Sequence, residues 1–249
     1  MVMADARWRR IAVLAATALG VLLTAGLGLW QLDRAGQKRA LQSAFETRLA
    51  QPELPAAELA RTVQGAALQH QRRIRVVGQW VPSHTVFLEN RQMHGQPGFL
   101  VLTPLKLAGQ ADAVLVQRGW APRDLRDRKI VPAVPTPAGP VEVWARVAAP
   151  PGRLFDFAGT AVSGSIRQNL DLAAFQGELG TPLRPLSLVQ VDGSPAAAGD
   201  GLRRDWPPPA VDIEKHHGYA FQWFALSALM AGLYVWFQFV RPRITRLGA

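Results

Sequence analysis

The chain has no cysteine in its 249 residues. That excludes a disulfide framework, a thiolate metal site, a thiol nucleophile and a copper carrier built on cysteines. Histidine is scarce, at five in all. His70, His84 and His94 stand at no metal-like spacing and read as surface or turn residues. The sequence also lacks G-x-S-x-G, a P-loop, G-x-G-x-x-G and H-E-x-x-H. No carboxylate pair stands out for acid–base work. Acidic residues are in deficit, 18 against 28 Lys and Arg, for a net charge of +10. The excess is dispersed: Arg7, Arg9 and Arg10 against Asp5 give +2, Arg241, Arg243 and Arg246 give +3, and the middle of the chain carries +5. No basic helix or aromatic–basic motif accompanies it, so nucleic acid is not among the expected partners. The expectation is a binding or interaction protein and not an enzyme, with no catalytic residues.

What the sequence does contain is two long apolar runs. Tyr219 to Val240 carries no charge and is long enough to cross a bilayer as one helix. Ile11 to Leu29 is also uncharged; it is long for the core of a signal peptide and reads as an uncleaved span. Ala12, Ala16, Gly20, Thr24 and Gly28 recur every four residues, a small-residue ridge for close helix approach, with the second run as the natural partner. Both flanking tails are basic, which places them in the cytoplasm and translocates the middle of the chain. Trp30, Gln31, Arg34 and Lys38 follow the first run as membrane-interface residues, and its helix is expected to continue towards Leu49. Pro52 and Pro55 then break it, with a short helix expected over Ala56 to Val63.

From Arg73 the apolar period becomes two. Arg73 to Trp80, Thr85 to Asn90, Gly98 to Leu107, Ala113 to Trp120, Val141 to Ala148 and Leu186 to Val191 read as strands, with Arg91 to Gly98 as a turn-rich connection. Together they suggest an antiparallel meander. Asp124 to Lys129 reads as a charged loop. Arg167 to Leu179 reads as a short helix with Asn169 or Asp171 near its start. Trp206 to Pro209 favours an extended segment returning to the second run.

On that second run, at about 100° per residue, His216, Tyr219, Ala220, Trp223, Ser227, Met230 and Tyr234 share one face. Polar groups at membrane depth face protein or ligand, not lipid. Two readings stand: an interfacial aromatic belt with solvated histidines, or a site for a flat, hydrophobic, metal-containing ligand with His216 as axial ligand. His216 and His217 point about 100° apart, so they do not ligate one metal from the same side.

Four blocks resemble the SURF1 (Shy1) family of cytochrome c oxidase assembly proteins along nearly the whole chain. Leu27-Gly28-Leu29-Trp30-Gln31-Leu32-Asp33-Arg34 looks like the family's L-G-x-W-Q-x-x-R. Gly78, Gly95-Gln96-Pro97-Gly98 and Thr103-Pro104-Leu105 resemble its G-x-W/F and G-x-x-V-x-T-P pattern. Val114 to Pro122 is similar to V-L-V-N-R-G-W/F-V-P, with Gln117 where Asn is usual. His216 to Leu226 resembles H-L-x-Y-A-x-x-W-F/Y-x-L, with His217 where Leu is common and Lys215 where Asn or Glu is common.

The resemblance implies a role in biogenesis of haem-copper oxidase subunit I, with haem a as a transient cofactor. It implies His216 as ligand to the haem iron, the one metal contact, beside Tyr219 and Trp223, with His217 as the competing imidazole. Arg34 or Lys38 would meet the propionates. Arg118 and Trp120 would contact a partner or else serve the sheet, and Gly98 and Gly119 would serve backbone geometry. Expected partners are subunit I, haem a synthase and membrane lipid.

The fold class expected is therefore a membrane protein of α+β type, with two transmembrane helices flanking an extracytoplasmic, antiparallel, barrel- or meander-like β-rich domain with short helices. The expected boundaries are a cytoplasmic tail over 1–10, a span over 11–30, the β-rich domain over 31–215, a second span over 216–240 and a cytoplasmic tail over 241–249. The setting would be a bacterial inner membrane, with the central domain periplasmic. The rivals are a haem-free scaffold for nascent subunit I, a haem-dependent membrane redox enzyme, which would need a second axial ligand, and a sensor or transport accessory protein.

Overall fold

The computed structural model describes residues 2–127, 129–155, 164–207 and 212–247, with side chains described from 7 to 244. The chain divides into two compact units, Met1–Ala44 with Pro207–Ala249, and Phe45–Trp206.

The first unit is built from two long helices. Helix α1 runs over Val2–Ala50, so the helix does continue past the apolar run, as its charged residues of high helical propensity suggest. Its partner starts as α4, Ile213–Val235, passes through a π-helical turn at Trp236–Val240 and ends as α5, Arg241–Leu247. Pro242 has no N–H to give to Gln238, and the Arg241 N–H reaches back to the carbonyl of Trp236 instead, which accounts for the wide turn. Both helices are long and apolar enough to cross a membrane.

They pack antiparallel along a seam of seven-residue spacing. On α1 the shielded positions are Thr17, Thr24, Gln31 and Lys38, interleaved with Val21, Gly28, Ala35 and Gln42; on α4 they are Ile213, Ala220, Ser227 and Tyr234, interleaved with His216, Trp223 and Met230. A Cβ on Gly28 would come within 2.7 Å of the Phe224 ring, and one on Gly20 within 3.2 Å of the Met230 sulfur. The ridge expected from the sequence is therefore used at Gly20, Thr24 and Gly28, whereas Ala12 and Ala16 are exposed. The Thr24 hydroxyl donates back to the Gly20 carbonyl at 2.8 Å, and Ser227 donates across the seam to the Val21 carbonyl at 3.2 Å. Each satisfies a hydroxyl without water.

The second unit is a barrel. Strands β1 (Arg73–Trp80), β2 (Val86–Met93), β3 (Gln96–Leu107), β4 (Ala113–Pro122), β5 (Pro140–Ala148), β6 (Ile166–Arg167) and β7 (Leu183–Gln190) form one sheet. Its order, β1-β5-β7-β4-β3-β2-β6 with a further β1–β3 pairing, closes β1, β5, β7, β4 and β3 into a ring. The long strand β3 forks: residues up to Leu102 pair with β2 and Leu105–Leu107 pair with β1. Pro104, which has no N–H for a ladder, sits at the fork, where its carbonyl accepts from Val81 N at 3.0 Å.

The expected meander is thus corrected. β4 and β7 run parallel, because the chain makes β5, β6 and helix α3 (Leu172–Leu179) before it returns beside β4. Alternation within a strand reports burial on one face and carries no information on which strand lies next to it.

Smaller corrections have local causes. β2 and β3 continue to a tight turn at His94 and Gly95, both with positive φ, so the connection is two residues long where Arg91 to Gly98 was expected. The helix expected over Ala56 to Val63 is a single 3-10 turn, Ala56–Glu58, followed by α2, Val63–Gln69, which Thr62 caps by accepting from Gly65 N at 3.2 Å. α3 begins at Leu172 and not Arg167, since Asp171 accepts from Ala173 N and Ala174 N at 3.0 Å and Arg167 is drawn into β6 beside Leu88. Arg128, in the expected charged loop, and Pro208 and Pro209, in the expected extended segment, lie outside the described residues.

The barrel core holds Ile74, Val76, Leu105, Val114, Val116, Val143, Val147, Leu186 and Leu188. Each such aliphatic side chain contributes about 1.5–3 kcal/mol on burial. α3 covers a second cluster through Phe175, against Val86, Leu88, Leu100, Leu102 and Leu115.

Candidate functional site

The expected site residues fall in two places, one in each unit. On the helix pair, the seven-residue seam explains why His216, Trp223 and Met230 lie on one line. Much of the polar stripe is the α1–α4 seam itself. Tyr219 lies off that seam and is 49% exposed, while Trp223 is half-buried within it. Of the alternatives left open by periodicity, protein contact accounts for Ala220, Ser227 and Met230.

His216, one turn into α4, is different because its partner is polar. His216 Nδ1 lies 2.7 Å from Gln31 Oε1. An amide oxygen only accepts, so Nδ1 carries a proton, and in the neutral ring Nε2 keeps its lone pair. This is the arrangement in which a metal-binding imidazole is oriented by a neighbour, its second nitrogen left for the metal. His217 is set the other way. Its Nε2 lies 3.0 Å from Arg39 Nη2, and a guanidinium has only donors, so the Nε2 lone pair is engaged. The chemistry of the two imidazoles thus favours His216 for a metal ligated through Nε2.

On α1, between Gln31 and Arg39, Arg34 donates to Gln37 Oε1 at 2.9 Å and Gln37 donates to Asp33 at 2.8 Å, all exposed. Trp30 is exposed, and Lys38 lies on the seam one turn beyond Arg34. Asp212 precedes α4 with its carboxyl held below the usual range, first by the Lys215 ammonium at 2.8 Å and then by Lys38. Among the described residues, no group of three His, Cys, Asp or Glu side chains converges to hold a bare metal ion.

In the barrel, Arg118 and Trp120 are not a surface. Arg118 is 0% and Trp120 2% exposed. Strand β4 skips a residue against β3, with Val101 opposite Gly119 and Leu102 opposite Gln117, so Arg118 is the extra residue of a bulge. The bulge turns the guanidinium inward. It donates to Thr136 Oγ1 at 2.7 Å and to the Pro135 carbonyl at 2.9 Å, lies 4.9 Å from the Trp80 ring, and is 3.5 Å from Asp200. Asp200 also takes Arg204, so two buried cations share one carboxylate. Burial lowers the Arg118 pKa most, while Asp200 opposes the shift.

The Trp120 indole N–H donates to the Arg91 carbonyl at 2.8 Å. Gly98 and Gly119 are required by close approach. A Cβ on Gly98 would meet the Trp120 ring at 2.3 Å, and one on Gly119 would meet the Leu202 Cβ at 2.6 Å. The expectation of partner contact through Arg118 and Trp120 is therefore corrected: both side chains hold the barrel together. The missing signal was the bulge, which the continuous buried run of β4 does not reveal.

A second polar cleft, of about 310 Å³, is lined by Ser83, His84, Thr85, Ser165, Arg167 and Glu178. Sequence reasoning did not find it. Arg167, 7% exposed, is bound to Glu178 through two bonds of 2.9 and 2.5 Å, which hold the Glu178 carboxyl below its usual range. That cation is already neutralised within the fold.

These features define a class: a small β-barrel in a chain that also carries two long apolar helices, with an oriented imidazole on the helix pair. A model of the SURF1 family matches residues 18–228, most of the chain, and the chain belongs to that family. A SURF1-like protein of Rickettsia bellii is 25% identical over 211 residues, covering 84% of this chain and 83% of that protein. A SURF1-like protein of Rickettsia felis is 30% identical over 110 residues, 42% of this chain and 46% of the relative. The cytochrome oxidase assembly protein Shy1 of Saccharomyces cerevisiae is 26% identical over 106 residues, 43% of this chain and 26% of Shy1. The chain thus spans less than half the length of two of these three relatives and most of the third.

Proposed function

We infer that this protein is a membrane-anchored assembly factor for cytochrome oxidase, and that it holds haem a as cargo before the haem enters subunit I. Family membership and the likeness to Shy1 support the role in oxidase assembly. The observation that carries the haem reading is the 2.7 Å contact between His216 and Gln31. It joins two separate family blocks, and it sets the imidazole tautomer that an iron ligand needs. Haem iron is held by such an imidazole in many proteins.

In this reading the two apolar helices cross the inner membrane and the barrel is periplasmic. His216 then lies at the membrane surface, where a flat apolar macrocycle with charged propionates would be accommodated. Tyr219, exposed one turn from His216, and Trp223 would offer ring contacts, and Arg34 and Lys38 would meet the propionates. Haem a synthase would be the donor and subunit I the acceptor. The protein would act by binding and release, without bond-making chemistry.

The test is complementation. A deletion strain is expected to lose haem a from its oxidase, and plasmid-borne wild type to restore it. His216→Ala is expected to leave the protein in the membrane but restore less than a tenth of the oxidase haem a. Full restoration by His216→Ala would overturn the haem-holding role and leave the scaffold reading, in which no haem ligand is needed.

A further inference from the structure

His217 is an imidazole that the haem reading leaves without a task. It flanks the helix seam, one residue and about 100° round α4 from His216, and both rings are half-buried. On α1, Arg39 flanks the same seam, next to Lys38 and one turn beyond Ala35, which is fully buried. Arg39 stands eight residues past Gln31, about 12 Å further along the helix axis. It still reaches the second helix, because side chains tilt towards the N-terminus of their own helix. In an antiparallel pair those tilts oppose. Arg39 therefore leans back as His217 leans towards it, and Arg39 Nη2 meets His217 Nε2 at 3.0 Å.

The contact has a definite sense. A guanidinium only donates and keeps its protons, so the His217 ring is neutral, with Nε2 as acceptor and its proton on Nδ1. His216 also carries a proton on Nδ1, given to Gln31. The two rings thus share a tautomer and differ in what covers Nε2. Arg39 is not diverted elsewhere: among the described residues it makes no ion pair. Its guanidinium also stands where iron, itself a cation, would have to approach His217. Without that cover the chain would offer two adjacent ligands, and a macrocycle on His217 would be turned about 100° round the helix from one on His216.

We propose that Arg39 is a positioning residue for haem: it silences His217, so that iron is taken by His216 alone and the macrocycle has one orientation on the helix pair. The proposal rests on the reading of His216 as the iron ligand. The Arg39 contact is exposed, and a single hydrogen bond of that kind gives a discrimination of about fivefold, not an absolute block.

The test uses the full chain purified in mild detergent. The tautomer is read first, without haem, from the nitrogen-15 shifts of the histidine rings in mildly alkaline buffer. His217 Nε2 is expected to be an unprotonated acceptor in wild type, and a proton on it there overturns the proposal whatever haem does. Ligation is then read by titrating with ferric protohaem and following the Soret band, with the combined His216→Ala, His217→Ala variant as baseline. His216→Ala is expected to bind weakly. Adding Arg39→Met is expected to raise its affinity about fivefold. That gain is expected to vanish when His217→Ala is added as well, and Arg39→Lys, whose ammonium still donates, is expected to give none. No gain from Arg39→Met, or a gain that survives the loss of His217, overturns the proposal. The two levels separate: equal binding by wild type and His216→Ala sinks the ligand reading and the proposal with it, whereas weak binding by His216→Ala with no gain from Arg39→Met sinks the role of Arg39 alone.

Discussion

Asp200 is the carboxylate that balances two buried cations in the second unit. Its carboxylate is 3% exposed and faces Arg118, 0% exposed, and Arg204, 8% exposed. Asp200→Asn keeps the shape, and its Oδ1 can still accept from Leu202 N, a bond of 3.0 Å in the wild type. What it removes is the one charge that two guanidinium groups share. Breaking a buried ion pair by taking away one partner costs about 3–5 kcal/mol, because the remaining charge is stranded away from water. For a domain of this size that is a fall in Tm of roughly 6–20 °C.

Arg118→Met is the contrasting change. It leaves Asp200 paired with Arg204 alone, in balance, and loses mainly the hydrogen bonds to Thr136 and Pro135, for a cost of about 1–3 kcal/mol. The assay is urea unfolding of the full chain in detergent, followed by tryptophan fluorescence. Trp80 reports directly because it lies against Arg118. Asp200→Asn is expected to be the more damaging of the two. A cost below about 1 kcal/mol for Asp200→Asn, or the reverse order, would refute the reasoning.

Three further outcomes follow from other parts of the structure. Gly28→Leu should force the Phe224 ring away and weaken the helix pair; because the chain has no cysteine, a Gly20→Cys, Met230→Cys pair reports this cleanly, with disulfide formation expected in its own background and lost when Gly28→Leu is added. Trp120→Phe should cost about 1–3 kcal/mol, since the Arg91 carbonyl loses its part-buried indole donor; an unchanged urea midpoint would contradict the role assigned to that bond. Stability should fall on acidification in two stages. The His70 pKa is lowered from 6.5, first by burial and then by Arg48, so its contribution is present above the unfolded value and is lost as pH drops below about 6.5. The Glu178 pKa is lowered, chiefly by its hydrogen bonds from Arg167, so that contribution is present above the ordinary glutamate range and is lost as pH falls through the depressed folded value. Tm measured against pH should flatten in the upper stage for His70→Gln, and a profile unchanged by that substitution would reject the assignment.

Much of this fold was legible in the sequence because its signals are local. Uncharged runs marked both long helices, period-two alternation marked β1 and β5, and short apolar runs bounded by turn residues marked the other longer strands. Asp171, one of two candidate caps, does open α3. The ring closure was not legible, because no residue in β4 or β7 announces that they run side by side and parallel. The burial of Arg118 was hidden for a related reason: a bulge shifts facing by one residue, and nothing in Gln117-Arg118-Gly119 announces it without the partner strand. On the helices, His216 and Gln31 were each singled out, one as a ligand and the other as an interface residue. Their contact spans 185 positions of sequence and emerges only when the two seams are aligned. The distinction between His216 and His217 likewise needed Arg39, a residue with no sequence signal of its own.

The measurement that tests the central claim most directly is the visible spectrum of the detergent-purified protein, co-expressed with a haem a biosynthesis pathway, for wild type, His216→Ala and His217→Ala. The account predicts about one haem a per chain in wild type and in His217→Ala, and its loss in His216→Ala. Absence of haem from wild type under those conditions, or retention by His216→Ala with loss in His217→Ala, would contradict it.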